Sequence, residues 1–186
     1  MKTEGTLCGI DEAGRGPIAG PLVMAGVILH APVDGLNDSK ALTEKRREAL
    51  FDVIVENASY HLVRFCAQQI DDEGISACLS KGLREIMEVL GDADYLFDGN
   101  STFGVRGLRT QVKADAEVPE VSAASILAKV TRDREMIALA ETYPEYGFEK
   151  HKGYGSQAHI EAIKAHGYCA IHRRSFRLKA LQPTLF

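Results

Sequence analysis

The sequence predicts an α/β fold, and three observations predict it. Short apolar runs rich in branched residues, too short for helices, recur along the chain and are bounded by glycine, proline or polar turns. Between them lie longer stretches whose apolar residues repeat at helical spacing. Where several of the apolar runs stop, a carboxylate follows, with glycine close behind in two of the three cases: Asp11 with Glu12, Asp98 before Gly99, and Asp115. Strand ends on one edge of a sheet lie close together, so this repeated grammar can gather four acids although Asp11 and Asp115 are 104 residues apart.

Taken in order, Leu7-Cys8-Gly9-Ile10 is a short strand that delivers Asp11 and Glu12 and then a turn, Gly14-Arg15-Gly16-Pro17. Successive strand side chains point to opposite faces, so these two acids share one centre only where the strand ends or bends. Glycines permit that bend and the close approach of a nucleic-acid backbone. Residues 22–29 form a continuous apolar run, expected as an interior strand buried on both faces. Pro32 and Asp34-Gly35 close it, and Asn37-Asp38-Ser39-Lys40 is a polar loop on which Lys40 can reach a ligand. Thr43 caps a helix over 44–57, and residues 59–67 alternate as a strand. Asp71 and Asp72 are expected to open a helix carrying Ile75, Leu79, Leu83, Ile86 and Leu90 on one face, with Gly91 ending it.

Tyr95-Leu96-Phe97-Asp98-Gly99 repeats the opening pattern, and residues 107–113 form a further short strand that runs directly into Ala114-Asp115-Ala116. Residues 121 to about 143 are helical, packing through Ile126, Leu127, Val130 and Met136. Arg132-Asp133-Arg134 on that helix reads as surface ion pairs, with Asp133 the reserve for a fourth acidic ligand. Pro144 and Gly147 break the helix. Lys150-His151-Lys152-Gly153-Tyr154-Gly155 is a glycine-flanked loop, Ser156 caps a short helix to about His166, and Ile171-His172-Arg173-Arg174-Ser175-Phe176 is basic and irregular.

Composition sets the frame. A chain of 186 residues, 45% apolar and 26% charged, has enough apolar surface for one core. Its longest apolar stretch is well short of the roughly 20 residues of a membrane span, and no leader pattern opens it, so a cytoplasmic protein without membrane contact is expected; a monomer is expected because no long apolar surface is left unassigned. Cys8, Cys66, Cys78 and Cys169 form no CxxC pair and read as reduced thiols. The net charge of −4 divides unevenly: residues 150–186 carry +6 and the rest −10. An acidic body with a basic C-terminal stripe suits an enzyme that gathers cations at one place and phosphates at another.

All-oxygen ligands suit Mg²⁺ or Mn²⁺, and two such ions about 4 Å apart are a common arrangement for phosphodiester cleavage. The glycine turn is neither GxGxxG nor GxxxxGK[ST], and there is no HExxH. His151, His159, His166 and His172 read as surface or loop histidines, and Ser122 and Ser125 have no evident base. A metal-dependent nuclease of other specificity and a non-catalytic nucleic-acid-binding module remain open on these residues alone.

Six separated motifs resemble bacterial ribonuclease HII: Asp11-Glu12-Ala13-Gly14-Arg15-Gly16-Pro17, Asp38-Ser39-Lys40, Asp98-Gly99, Lys113-Ala114-Asp115, Ser122-Ala123-Ala124-Ser125-Ile126-Leu127-Ala128-Lys129-Val130 and His151-Lys152-Gly153-Tyr154-Gly155. The resemblance runs in order from about residue 7 to 176. It implies an RNase H-like fold, a mixed central β-sheet flanked by helices with a small helical C-terminal part. It divides the chain into a catalytic domain over 1–145 and a basic substrate-binding segment over 146–186 packed on it. The implied activity is hydrolysis of the RNA strand of RNA–DNA hybrids and cutting 5′ of single ribonucleotides in duplex DNA, leaving 3′-hydroxyl and 5′-phosphate ends. Carried over, the metal ligands and catalytic acids are Asp11, Glu12, Asp98 and Asp115. Gly14, Arg15 and Gly16 would read the 2′-hydroxyl, and Tyr154 would stack on the next deoxyribose. Lys40, Arg173 and Arg174 would hold phosphates. The sister family, ribonuclease HIII, is similar in its acids but carries an N-terminal extension, and only six residues precede the first strand here. Gln182-Pro183-Thr184-Leu185-Phe186 is too short and degenerate to assign as a sliding-clamp-binding peptide.

Overall fold

The structure, a computed structural model, describes residues 5–36 and 42–177. Lys40 and residues 182–186 lie outside the described residues. The chain runs β1 (Leu7–Ala13), β2 (Leu22–Leu29), α1 (Glu44–Asn57), β3 (Ala58–Phe65), α2 (Ala67–Glu73), α3 (Ile75–Leu90), β4 (Asp94–Asp98), β5 (Leu108–Gln111), α4 (Pro119–Thr142), α5 (Phe148–His151) and α6 (Gln157–His166). Five strands form one mixed sheet in the order β3-β2-β1-β4-β5. β1 with β2 and β2 with β3 pair antiparallel, while β1 with β4 and β4 with β5 are parallel.

Alternation along β1 decides what each face of the sheet does. Cys8 and Ile10 join Met24, Leu79, Leu83, Ile86 and Phe97 in the core under α3. Each such side chain, fully buried, contributes about 1.5–3 kcal/mol. The opposite face packs Val23, Ala25 and Val27 against α1 and α4 through Ile54, Ala123, Ala124 and Leu127. Gly9 points to that second face. A Cβ there would sit 2.2 Å from the backbone of Glu120 and Val121, so the missing side chain lets α4 lie directly on β1. Asp11, two residues on, shares Gly9's face at the strand's end.

The interior strand, the caps by Thr43 and Ser156, and the long helix follow the expected pattern. Two details differ. The helix expected from Asp71 is two helices: Asp71 and Asp72 fall in the last turn of α2, and Gly74, at φ 85°, turns the chain before α3 begins at Ile75. Asp115 is not at a strand terminus. Lys113 adopts a left-handed conformation, φ 61°, which ends the extended chain and starts a 3-10 turn over Ala114–Ala116 that carries Asp115.

The C-terminal part is small and partly helical. Phe148, Tyr146 and Ile163 pack on Ile18, Ala19, Met136 and Ala140, so it closes over the glycine turn and the far end of α4. Among the described residues no helix is long and apolar enough to cross a membrane. All four cysteines are free thiols.

Candidate active site

Parallel pairing sets Ile10 opposite Phe97, so Asp11 and Asp98 leave neighbouring strands at one level and on one face. Asp98 accepts a hydrogen bond from the Lys113 amide, 2.8 Å, and thereby holds the turn that brings Asp115 in from the other side. Carboxylate oxygens of Asp11, Asp98 and Asp115 lie within 4.8 Å of one another. Asp11 and Asp115 are buried. Glu12, next along β1, is not in that trio, yet Asp98 is near enough to act on its carboxyl.

The electrostatics are those of acids awaiting positive charge. Burial raises the Asp11 carboxyl well above the usual range, and the Glu12 charge adds to the effect; a hydrogen bond from Ser125 works against it. Burial also pushes Glu12 up to about 7, opposed by Arg15 and reinforced by Asp98. The Oε2 of Glu12 is buried with no hydrogen-bond partner among the described residues. Like charges and an orphaned buried oxygen are unfavourable unless neutralised, and all-carboxylate donors suit hard divalent cations. The residues therefore fit such cations.

Beside the acids opens a cleft of about 350 Å³, lined by Glu12, Gly14, Arg15, Gly16, Arg47, Ser125, Lys129 and Tyr154 among others. Arg15 reaches Glu12 at 3.7 Å. A Cβ on Gly16 would lie 4.0 Å from the Tyr154 ring, so the glycine turn and the tyrosine face each other across the cleft. Tyr154 is 49% exposed. In the sequence Ser125 and Lys129 carry no site role, Ser125 figuring only as a hydroxyl without an evident base and both as part of a motif, and Arg47 is not marked at all. Only the helical spacing of Ser125 and Lys129, one turn apart, signals their shared face.

Several expectations change here. Arg173 is 1% exposed. Its guanidinium donates from Nε to the Gly20 carbonyl at 2.9 Å, from Nη2 to Gly14 at 2.6 Å and from Nη1 to Arg15 at 3.3 Å, so it holds the glycine turn and offers nothing to phosphate. Arg132 is likewise buried, donating to the carbonyls of Pro21 at 2.9 Å and Ala19 at 3.1 Å. With Gly14 at φ 90° and a Cβ there 2.2 Å from Arg132 Nε, the turn is gripped from two sides. Asp133 pairs with Lys129 at 2.8 Å but is buried, and it is not in the acidic trio.

His159 and His172 are not surface groups: they are 0% and 2% exposed. His159 Nδ1 meets the Tyr154 carbonyl at 2.8 Å, and the two Nε2 atoms meet at 3.0 Å. His172 Nδ1 accepts from the Cys169 amide at 2.9 Å. Burial lowers both rings to about 4, so each is neutral near pH 7.

The ribonuclease HII family model matches residues 8–179. The chain is 70% identical to a ribonuclease HII of Sulfurovum sp. (strain NBC37-1) over 181 residues, 97% of this chain and 96% of that protein. It is similar in structure to a chain of the PCNA:RNase HII complex from Archaeoglobus fulgidus, with TM-score 0.79, 29% identity and coverage of 97% and 98%. It is similar also to the ribonuclease H2 from Pyrococcus horikoshii OT3, with TM-score 0.76, 29% identity and coverage of 92% and 93%.

Proposed function

The chain belongs to the ribonuclease HII family and is a divalent-metal-dependent endoribonuclease acting on RNA–DNA hybrids, and from that premise we propose that it also cuts 5′ of single ribonucleotides in duplex DNA. Asp11, Asp98 and Asp115 hold the cations, Mg²⁺ or Mn²⁺, with Glu12 completing the set. When bound, the pair supplies neutralisation of the acids and Lewis-acid activation of water and of the leaving oxygen. The products carry 3′-hydroxyl and 5′-phosphate ends.

The chain's own groups do the rest. Ser125 orients Asp11 through its hydroxyl. Arg15, Arg47 and Lys129 draw phosphates to the cleft without reading sequence. Backbone groups of Gly14, Arg15 and Gly16 read the 2′-hydroxyl, the one group that distinguishes RNA from DNA at a single nucleotide. Tyr154 packs on the sugar that follows, where its ring tolerates hydrogen and resists hydroxyl. In this reading the segment from residue 146 onward adds a substrate wall to the catalytic body over 1–145. Lys40, on its polar loop, is proposed as a further phosphate contact.

The observation that carries the reading is the adjacency of two things: three carboxylates within 4.8 Å, and a cleft that Arg15, Gly16 and Tyr154 line together with Glu12. The test is cleavage of a labelled duplex holding one ribonucleotide, beside an all-DNA duplex, with Mg²⁺, with Mn²⁺ and with chelator. A metal-dependent cut immediately 5′ of the ribonucleotide and none in all-DNA is expected. Equal cutting of both duplexes would overturn the junction reading, and no cutting with either metal would favour a binding module.

A further inference from the structure

Resting on the reading of Gly14-Arg15-Gly16 and Tyr154 as the two substrate readers, we propose that His172 and Arg173 form a brace that sets the readers against each other. Arg173 is the positioning residue of the glycine turn, and His172, acting through His159, positions Tyr154. None of the three touches substrate in this proposal.

The brace is visible in the backbone first. Ala19 and His172 form an isolated antiparallel bridge. The Gly20 amide donates to the Ile171 carbonyl and the Arg173 amide to the Ile18 carbonyl, both at 2.8 Å. On the other side of the turn, the amides of Ile18 and Ala19 share the Gly153 carbonyl at 3.0 and 3.2 Å. Three segments distant in sequence are thus laced side by side, with the glycine turn between the Tyr154 loop and residues 171–173.

The two side chains then diverge. Arg173 reaches the carbonyls of Gly14, Arg15 and Gly20, all acceptors of one turn. His172 turns to His159, which reaches the carbonyl of Tyr154 itself. The direction of every hydrogen bond in that relay is forced. A carbonyl only accepts, so His159 Nδ1 donates to Tyr154, and in a neutral ring its Nε2 must accept. The Cys169 amide only donates, so His172 Nδ1 accepts and its Nε2 donates to His159. One proton per ring satisfies all four nitrogens, in agreement with the neutrality of both rings. The far end is anchored to the body: Asp71 on α2 accepts from the amides of Arg174 at 2.8 Å and Ser175 at 2.9 Å.

The relay predicts which substitution is tolerated. Gln at 172 carries its amide nitrogen near the position of Nε2 and can still donate to His159. Asn at 172 reaches only as far as Nδ1 and cannot. The readout is the ratio of kcat/KM on a duplex with one ribonucleotide to kcat/KM on a uniform RNA–DNA hybrid, which cancels damage to the shared acidic centre. Expected is a fall of about fivefold to tenfold for His172→Asn, the cost of one buried hydrogen bond, with His172→Gln near the parent. The fall should vanish in a Tyr154→Ala background, while Arg173→Lys should lower the ratio in both backgrounds. Equal behaviour of the Asn and Gln variants, or a fall that persists without Tyr154, would overturn the brace. If Tyr154→Ala itself leaves the ratio at the parent value, the reading of Tyr154 fails instead, and hydrogen exchange judges the brace. His172→Asn should then speed exchange in residues 151–155 but not 14–20, and Arg173→Lys the reverse; the same change in both segments, or none, overturns it.

Discussion

Acid should loosen this protein through the His159–His172 pair before most other groups respond. Protonating His159 would leave two hydrogens between nitrogens 3.0 Å apart, and protonating His172 would set a second hydrogen against the Cys169 amide at 2.9 Å, in a site where the rings are 0% and 2% exposed. Burial holds both near 4, against 6.5 for a histidine in the unfolded chain, and for His172 the charge of His159 adds to that. The unfolded chain therefore takes up protons that the native state refuses. The pair's contribution is complete above 6.5 and is lost as the pH falls from 6.5 toward 4. For one ring that is about 3 kcal/mol, a large part of the 5–15 kcal/mol typical of a domain, about. In a protein of this size it corresponds to a fall in Tm of about 6–12 °C. The assay is urea unfolding in chelator at pH 7.5 and pH 4.5, comparing the parent with His159→Gln/His172→Gln. Carboxylate titration is common to both proteins and cancels in the difference. The parent should lose stability with acid more steeply than the variant. Equal pH dependence of the two, or an NMR titration of His159 or His172 in the native state near the unfolded value, would refute the reasoning.

Asp11→Asn should reduce cleavage by more than about a hundredfold, while the chelated protein gains about 1 kcal/mol because the desolvation of a buried carboxylate, and with it a like-charge contact to Glu12, is removed. The rise in Tm on adding Mg²⁺ should disappear in the same variant, and calorimetry with and without the ion checks both points. Gly9→Ala should destabilise by about 3 kcal/mol, since its Cβ meets α4 backbone at 2.2 Å and neither partner can swing aside; denaturant unfolding measures it. Arg47→Gln should weaken binding of hybrids of any sequence and lower the slope of log K against log salt by about 1, read from titrations at several ionic strengths.

The sheet, the interior strand and most helices were legible in the sequence because burial leaves local marks: branched runs for strands, spaced apolar residues for helices, polar caps at their starts. Asp11, Glu12 and Asp98 were legible for the same reason, standing where an apolar run stops, whereas Asp115 rides a 3-10 turn that the strand pattern does not foretell. What the local pattern could not carry was pairing between distant segments. Arg132 and Arg173 look like surface charges in the chain because nothing nearby reveals that the carbonyls of residues 14–21 will need donors. His159 and His172 look like loop residues because each finds its partner on another segment. Glu12 is partly legible: strand alternation predicts that it and Asp11 face apart, and among the described residues the cluster within 4.8 Å holds Asp11, Asp98 and Asp115 without it. The break at Gly74 leaves no mark in the apolar pattern, because the spacing of α3 begins just after it and the acids before it resemble the start of a helix.

Helix α4 carries Ser125, Lys129, Arg132 and Met136 along one face, each three or four residues from the next. Ser125 bonds Asp11, Lys129 lines the cleft, Arg132 grips the glycine turn, and a Cβ on Gly20 would touch Met136 Sδ at 2.2 Å. A surveyor would call this helix the datum: Asp11, the cleft and the glycine turn are measured from one rigid line, so small errors in those parts do not add up. Loops elsewhere in the chain can lengthen or shorten without disturbing that reference. A single residue inserted between positions 125 and 136 would rotate everything beyond it by about 100°, and the site would lose its alignment together with the packing of Met136 and Ala140 on the C-terminal part.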